Sequence, residues 1–188
     1  MRNVIYAVVA LFACAASALA QPPVVVNGGF EQPDGWELLC VGGAEGTMAP
    51  DTTRACSGRQ SLKLTKTNAP GYVVLRSLAP VAFPPKVRTR CRLRFHAEDA
   101  SLANLLLLRI GPKDGLLSYN SIDHSAGWMS QSLLLNSPFG QWATRVGHYQ
   151  TDEPREAYLH VVLWGNPCTV WLDDLEVTTE PYKITGAK

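Results

Sequence analysis

The chain has 188 residues, with 17 lysines and arginines against 16 aspartates and glutamates, and 46% of it is hydrophobic. With a leader of 20 residues set aside, basic and acidic side chains number 16 each, so the charge balance points away from nucleic acid as a partner. What remains is one domain of ordinary size, long enough to bury a full core.

The leader is the first element. Arg2 supplies a small positive start, residues 4–16 form an apolar run, and Ala18-Leu19-Ala20 is a cleavage pattern ahead of Gln21-Pro22-Pro23. This reads as a secretory signal peptide cut after Ala20, with the protein secreted or periplasmic. The run is too short and wrongly flanked for a membrane anchor. A minor alternative is a lipid-anchored Cys14, since Leu11-Phe12-Ala13-Cys14 loosely resembles a lipoprotein box. The expected division is a signal peptide over 1–20, one module over 21–180 and a short tail over 181–188.

Short apolar runs follow, bounded by Gly, Pro, Asn and Asp. They predict strands at 24–26, 36–41, 61–65, 72–78, 88–96, 105–110, 131–135, 142–150, 158–164 and 169–178, with a short helix allowed within 97–106. Many short strands with frequent turns argue for an all-β sandwich or barrel. Two strands show a strict period of two. Lys86, Arg88, Arg90, Arg92 and Arg94 alternate with Val87, Thr89, Cys91, Leu93 and Phe95. That places the bases on one face, and Leu93 and Phe95 in the core. Tyr158, His160, Val162 and Trp164 alternate with Leu159, Val161 and Leu163. There the leucine and valine face is the core candidate, and the Tyr/His/Trp face points outward, where it could line a cleft.

Cys40, Cys56, Cys91 and Cys168 remain after the leader. An even number in an exported chain suggests disulfides, and their wide spacing fits no zinc pattern. Three pairings are open. The preferred one is Cys40–Cys56 with Cys91–Cys168, and free buried thiols are the alternative.

In order along the chain come Asn27-Gly28-Gly29-Phe30-Glu31 with Gly35-Trp36, Ser57-Gly58-Arg59-Gln60-Ser61-Leu62-Lys63-Leu64, Arg92-Leu93-Arg94-Phe95-His96-Ala97, Gly140-Gln141-Trp142, and Val170-Trp171-Leu172-Asp173-Asp174-Leu175. This series resembles the carbohydrate-binding modules of families 4, 9 and 22. The resemblance implies a galactose-binding-like jelly roll, a sandwich of two antiparallel sheets. It also implies a structural calcium ion held by Glu31, the Lys63 carbonyl and Asp173 or Asp174, away from the sugar site. Calcium takes six to eight oxygens, which carboxylates and carbonyls supply. Cys91 stands where the family usually has an aromatic residue, and a disulfide would replace the lost packing.

Sugar recognition needs flat aromatic faces and a few directed hydrogen bonds. Trp36, Trp142 and Trp171 read as packing. The platform candidates are Trp164, Trp128, Tyr119 and Tyr158, with His160, Asn120, Arg109 and Gln131 as polar partners. The basic face of the 86–94 strand is either a track for acidic glycans or a solvated face that discourages edge pairing; the second is preferred.

No nucleophile elbow, zinc-protease motif or phosphate loop is present. Asp123-His124 reads as a loop turn rather than part of a triad. Asp173 and Asp174 are neighbours on a strand and point to opposite faces unless a bulge intervenes. The expectation is a monomeric, secreted, non-catalytic module that binds a polysaccharide or oligosaccharide, acidic glycans included, beside a glycoside hydrolase or alone. A structural or adhesion sandwich and a jelly-roll polysaccharide lyase are the alternatives.

Overall fold

A computed structural model describes residues 25–114, the backbone of 128–133, and residues 140–180. Its eleven strands are β1 (Trp36–Val41), β2 (Gly46–Asp51), β3 (Ser61–Lys66), β4 (Tyr72–Ser77), β5 (Val81–Phe83), β6 (Arg88–Glu98), β7 (Leu105–Gly111), β8 (Trp128–Leu133), β9 (Ala143–Gln150), β10 (Arg155–Trp164) and β11 (Cys168–Glu180). No helix occurs among the described residues. The segment allowed a helix is instead the end of β6, a turn closed by the Asn104 N–H on the Ser101 carbonyl, and the start of β7. Residues 25 and 26 lie outside any strand.

Two antiparallel sheets form. The first runs β1-β4-β10-β7-β8, with β5 extending the β4 edge of β10. The second runs β2-β3-β11-β6-β9. β2 and β5 were not expected. β2 contains Gly46 and Pro50, poor strand formers, but it is an edge strand, where a missing ladder N–H is tolerated. β5 is three residues long between Pro80 and Pro84.

The core lies between the sheets, and period two decides who enters it. Val73 and Leu75 of β4, Leu106, Leu108 and Ile110 of β7, and Leu159, Val161 and Leu163 of β10 face Leu93 and Phe95 of β6 and Val170 and Leu172 of β11. Fully burying each such side chain contributes about 1.5–3 kcal/mol. Trp36 packs in the same core against Phe30, with ring centroids 5.3 Å apart, and its indole N–H donates to the Asn27 carbonyl at 3.0 Å.

The two ends of the described chain meet. The Leu175 N–H donates to the Gly28 carbonyl at 2.8 Å, and a Cβ on Gly28 would sit 2.1 Å from the Leu175 oxygen. Only glycine permits that approach.

The four described cysteines are free, which corrects the disulfide expectation. Cys91 is in register with Val177 of β11, and Cys168 lies nine residues back along that strand. At about 3.3 Å per residue the two are far beyond the reach of a disulfide. Cys40 is on the exposed edge strand β1, while the Cys56 thiol accepts a bond from Arg94 Nη1 at 2.8 Å. Burial raises the Cys168 thiol to about 11 and the Cys91 thiol further, so neither is a thiolate at neutral pH.

Candidate functional site: the outer face of the first sheet

Sandwich strands usually turn polar residues outward. The first sheet departs from this. Register places Leu39, Val74, Val162 and Leu107 in one row across β1, β4, β10 and β7, and Val41, Tyr72, Trp164 and Leu105 in the next. Val74, Val162 and Leu107 form a second apolar cluster, with Leu39, Val41, Tyr72 and Leu105 packed on it, separate from the main core. Trp164 and Tyr158 are half-buried.

Beside this strip runs a charged row: Glu37, Arg76, His160 and Arg109, again in direct register. Arg76 is 8% exposed, His160 1% and Arg109 5%. Arg76 Nε donates to Glu37 Oε1 at 2.8 Å; its Nη1 donates to the Lys113 carbonyl and lies 3.8 Å from Asp114. Desolvation first, then Arg109 and Arg76, drives the His160 imidazole down to about 3, so it is neutral. Burial likewise raises the Tyr72 phenol, opposed by Arg109.

Of the expected ligand residues, Trp164, Tyr158, His160 and Arg109 come together on β10 and β7. Trp128 and Gln131 lie on β8, in register with Arg109 and Leu107. Tyr119 and Asn120 lie outside the described residues, as do Asp123 and His124, the leader and residues 181–188. The outward assignment of the Tyr/His/Trp face holds, although its middle is buried rather than open. Tyr72, Arg76, Glu37, Leu105 and Leu107 were missed. The signal for β4 was the alternation of Tyr72, Val74 and Arg76 with Val73 and Leu75. In β7 both faces are leucine, which hides the period.

The outer face of the second sheet is different. Arg94, Arg92 and Arg90 meet Asp174, Glu176 and Glu180 of β11 at 3.5, 2.5 and 3.8 Å. Three of the strand's five bases are thus paired with acids of its neighbour. Trp171 is 5% exposed there. Arg54 covers its ring at 4.1 Å, Lys63 lies at 5.4 Å, and its N–H donates to Asp51 at 2.8 Å. The Thr53 hydroxyl and that N–H hold the Asp51 carboxyl at about 2. Arg54 also pairs with Glu98. His96 touches Trp171 and Trp142 edge-on, and burial lowers its imidazole pKa.

A bulge between Asp173 and Glu176, with Asp174 at φ 48°, brings both aspartates to the loop ahead of β3. Asp173, fully buried, accepts the Cys56 and Ser57 N–H groups on Oδ2 at 2.8 and 3.1 Å, and the Asp174 N–H on Oδ1 at 2.8 Å; desolvation outweighs these bonds and raises its pKa. Glu31 Oε1 accepts the Arg59 N–H at 2.9 Å and the Gln60 N–H at 3.4 Å, above Gly58. Lys63 sits mid-ladder between Ala49 and Trp171. As folded, the expected calcium ligands are largely engaged within the chain. Asp173 and Glu31 Oε1 accept N–H donors, Asp174 Oδ1 accepts the Ser57 hydroxyl, and Arg59 and Arg94 stand beside them. No cluster of three acidic, histidine or cysteine groups suited to a metal occurs among the described residues. These bonds tie both ends of the described chain to one loop.

At the loop end a cleft of about 470 Å³ is lined by Ala82, Phe83, three prolines, Arg155 and Glu156. Phe83, its one aromatic, is 1% exposed and offers no platform.

No protein-family model and no curated protein matches the chain. Solved structures do. The family 61 carbohydrate-binding module TmCBM61, in complex with β-1,4-galactotriose, is similar with a TM-score of 0.55 at 15% identity over 82% of this chain and 96% of its own. The xylan-binding domain CBM22-1 of Paenibacillus barcinonensis Xyn10C gives 0.55 at 14%, over 83% and 94%. A family 4 module gives 0.58 at 12%, over 84% and 100%. The chain has the jelly-roll fold of these carbohydrate-binding modules.

Proposed function

We propose that, on this fold, the chain is an exported, non-catalytic module that grips a polysaccharide or oligosaccharide on the outer face of its first sheet. The carrying observation is the apolar strip of Val74, Val162 and Leu107, flanked by Tyr72 and Trp164, on a face that sandwich chemistry would make polar. Tyr72 and Trp164, half-buried at the edge of this strip, offer the ring faces on which pyranose C–H surfaces stack. Several of the similar solved structures are carbohydrate-binding modules, one of them, from Clostridium thermocellum Xyn10B, joined to a glycoside hydrolase module, and another is the enzymatically active domain of a bacteriophage tailspike protein. No described helix is long and apolar enough to cross a membrane. A purely structural sandwich draws support from the burial of His160 and Val162. A glycan array separates the two: binding that Tyr72→Ala and Trp164→Ala both weaken supports the module, and silence across the array supports the structural reading.

A further inference from the structure

Sandwich strands turn polar residues to solvent, yet His160, on the outer side of β10, is enclosed. The cause lies in what reaches over it. Sheet order sets β10 between β4 and β7. Arg76 stands opposite His160 on β4, on the outer side with Val74, and β7 ends at Gly111, opposite Tyr158. Arg76 Nη1 donates to the Lys113 carbonyl just past that end and lies 3.8 Å from Asp114 Oδ1, while Nε donates to Glu37 at 2.8 Å. A side chain of β4 thus meets the chain leaving β7, and their link passes over β10 and closes on His160. The link acts as a clasp, fixing residues 112–114 as a ridge across the outer face.

We propose that Asp114, held on this ridge by Arg76, accepts hydrogen bonds from a pair of neighbouring hydroxyls on a glycan laid along the apolar strip. This rests on the reading of the face as the glycan site. The ridge borders the strip: His160 and Val162 are two residues apart on β10, and Arg76 and Val74 two apart on β4, about 7 Å in each case. The strip supplies apolar surface and ring faces, so directed polar contacts come from its border. The Asp114 side chain is 93% exposed there.

A carboxylate is acceptor-only, and its two oxygens can take two O–H donors at once. Bonds to an ionised acceptor are roughly twice as strong as neutral ones. At 3.8 Å the Arg76 guanidinium attracts this carboxylate without a hydrogen bond, so both oxygens can still accept. Arg76 itself is buried and touches no sugar; it is a positioning residue. Its contacts with Glu37, Lys113 and Asp114 set the ridge before a ligand arrives, which lowers the ordering cost of binding. Trp164 lies two residues beyond Val162, so the sugar stacked on it and the sugar at Asp114 are different units of one chain.

The oligosaccharide that binds best on the array is titrated calorimetrically into the full chain and its variants. Asp114→Asn should lose about tenfold in affinity, with an unchanged melting midpoint because the side chain is exposed. Arg76→Lys keeps the charge and loses the fork. In that background Asp114→Asn should cost about twofold or less, because the ridge is no longer held. Glu37→Gln, which loosens Arg76 Nε, replaces Arg76→Lys if the latter does not fold. If Asp114→Asn binds within about twofold of the parent chain while Trp164→Ala is weak, the ridge subsite is overturned and the glycan face stands. If the Asp114→Asn loss stays at about tenfold once the clasp is altered, Arg76 does not position it and the proposal fails. If no glycan binds, the glycan reading falls and the proposal with it.

Discussion

The two outer faces of the sandwich use the same residue types to opposite ends. On the second sheet Arg90, Arg92 and Arg94 each meet an acid of β11, and Trp171 lies beneath Arg54 with its N–H bonded to Asp51. On the first, Tyr72 and Trp164 edge an apolar strip, and His160 is enclosed with both nitrogens unbonded. On one face arginines and a tryptophan are paired with acids and with one another. On the other, aromatic rings border an apolar strip instead of charged partners. Arginine and tryptophan content therefore says little about a binding surface; what matters is whether their partners are already supplied.

The sharpest way to break this contrast is Trp171→Ala. Loss of a buried tryptophan with its Arg54 and Asp51 contacts costs about 3 kcal/mol of stability, read by chemical denaturation, with glycan affinity within about twofold. A large affinity loss in a folded variant would make the second face the ligand face.

Acid titration comes next. The folded His160 pKa, about 3, lies below the unfolded value of about 6.5, so the unfolded chain takes up the proton first. The stabilising effect of a neutral His160 is full above about pH 6.5 and fades as pH falls toward 3. Between pH 7 and pH 4 that is a loss of about 3 kcal/mol, and His160→Phe should flatten that part of the profile. An unchanged profile would mean that His160 is solvated.

Gly58→Ala probes the loop that both ends of the described chain hold. The position has φ +64°, and a Cβ would lie 2.0 Å from Glu31 Oε1, so about 2 kcal/mol should be lost. The smallest effects belong to the exposed ion pairs and to calcium. Arg92→Ala should change stability by about 0.5 kcal/mol or less, since its pair with Glu176 is solvent-screened. Replacing EDTA with calcium should move the melting midpoint by less than about 2 °C. A rise of several degrees would show that Glu31 and Asp173 release their N–H donors to an ion.

The sequence disclosed these faces unevenly. β10 was legible because Tyr158, His160 and Trp164 alternate with leucine and valine without a break, and β6 because its arginines do the same. β7 carries leucine on both faces, so period two vanishes and the outer Leu105 and Leu107 cannot be told from the core-side Leu106 and Leu108. Pairing was equally hidden. The basic strand reads as unneutralised until register sets β11 acids beside it. Asp173 and Asp174 read as pointing apart until a bulge turns both to one loop. The cysteine expectation failed for the same reason: chain spacing carries no information on where along β11 a residue of β6 will sit.

The most direct test of the account is a paired comparison with whichever glycan binds best on the array. Isothermal titration of Trp164→Ala should show affinity reduced by about tenfold or more, the usual result of removing a stacking aromatic. Trp142→Ala, on the second sheet's side against His96, should bind within about twofold of the parent chain. Equal binding by the parent and Trp164→Ala, with the loss appearing in Trp142→Ala, would contradict the assignment of the first sheet as the ligand face.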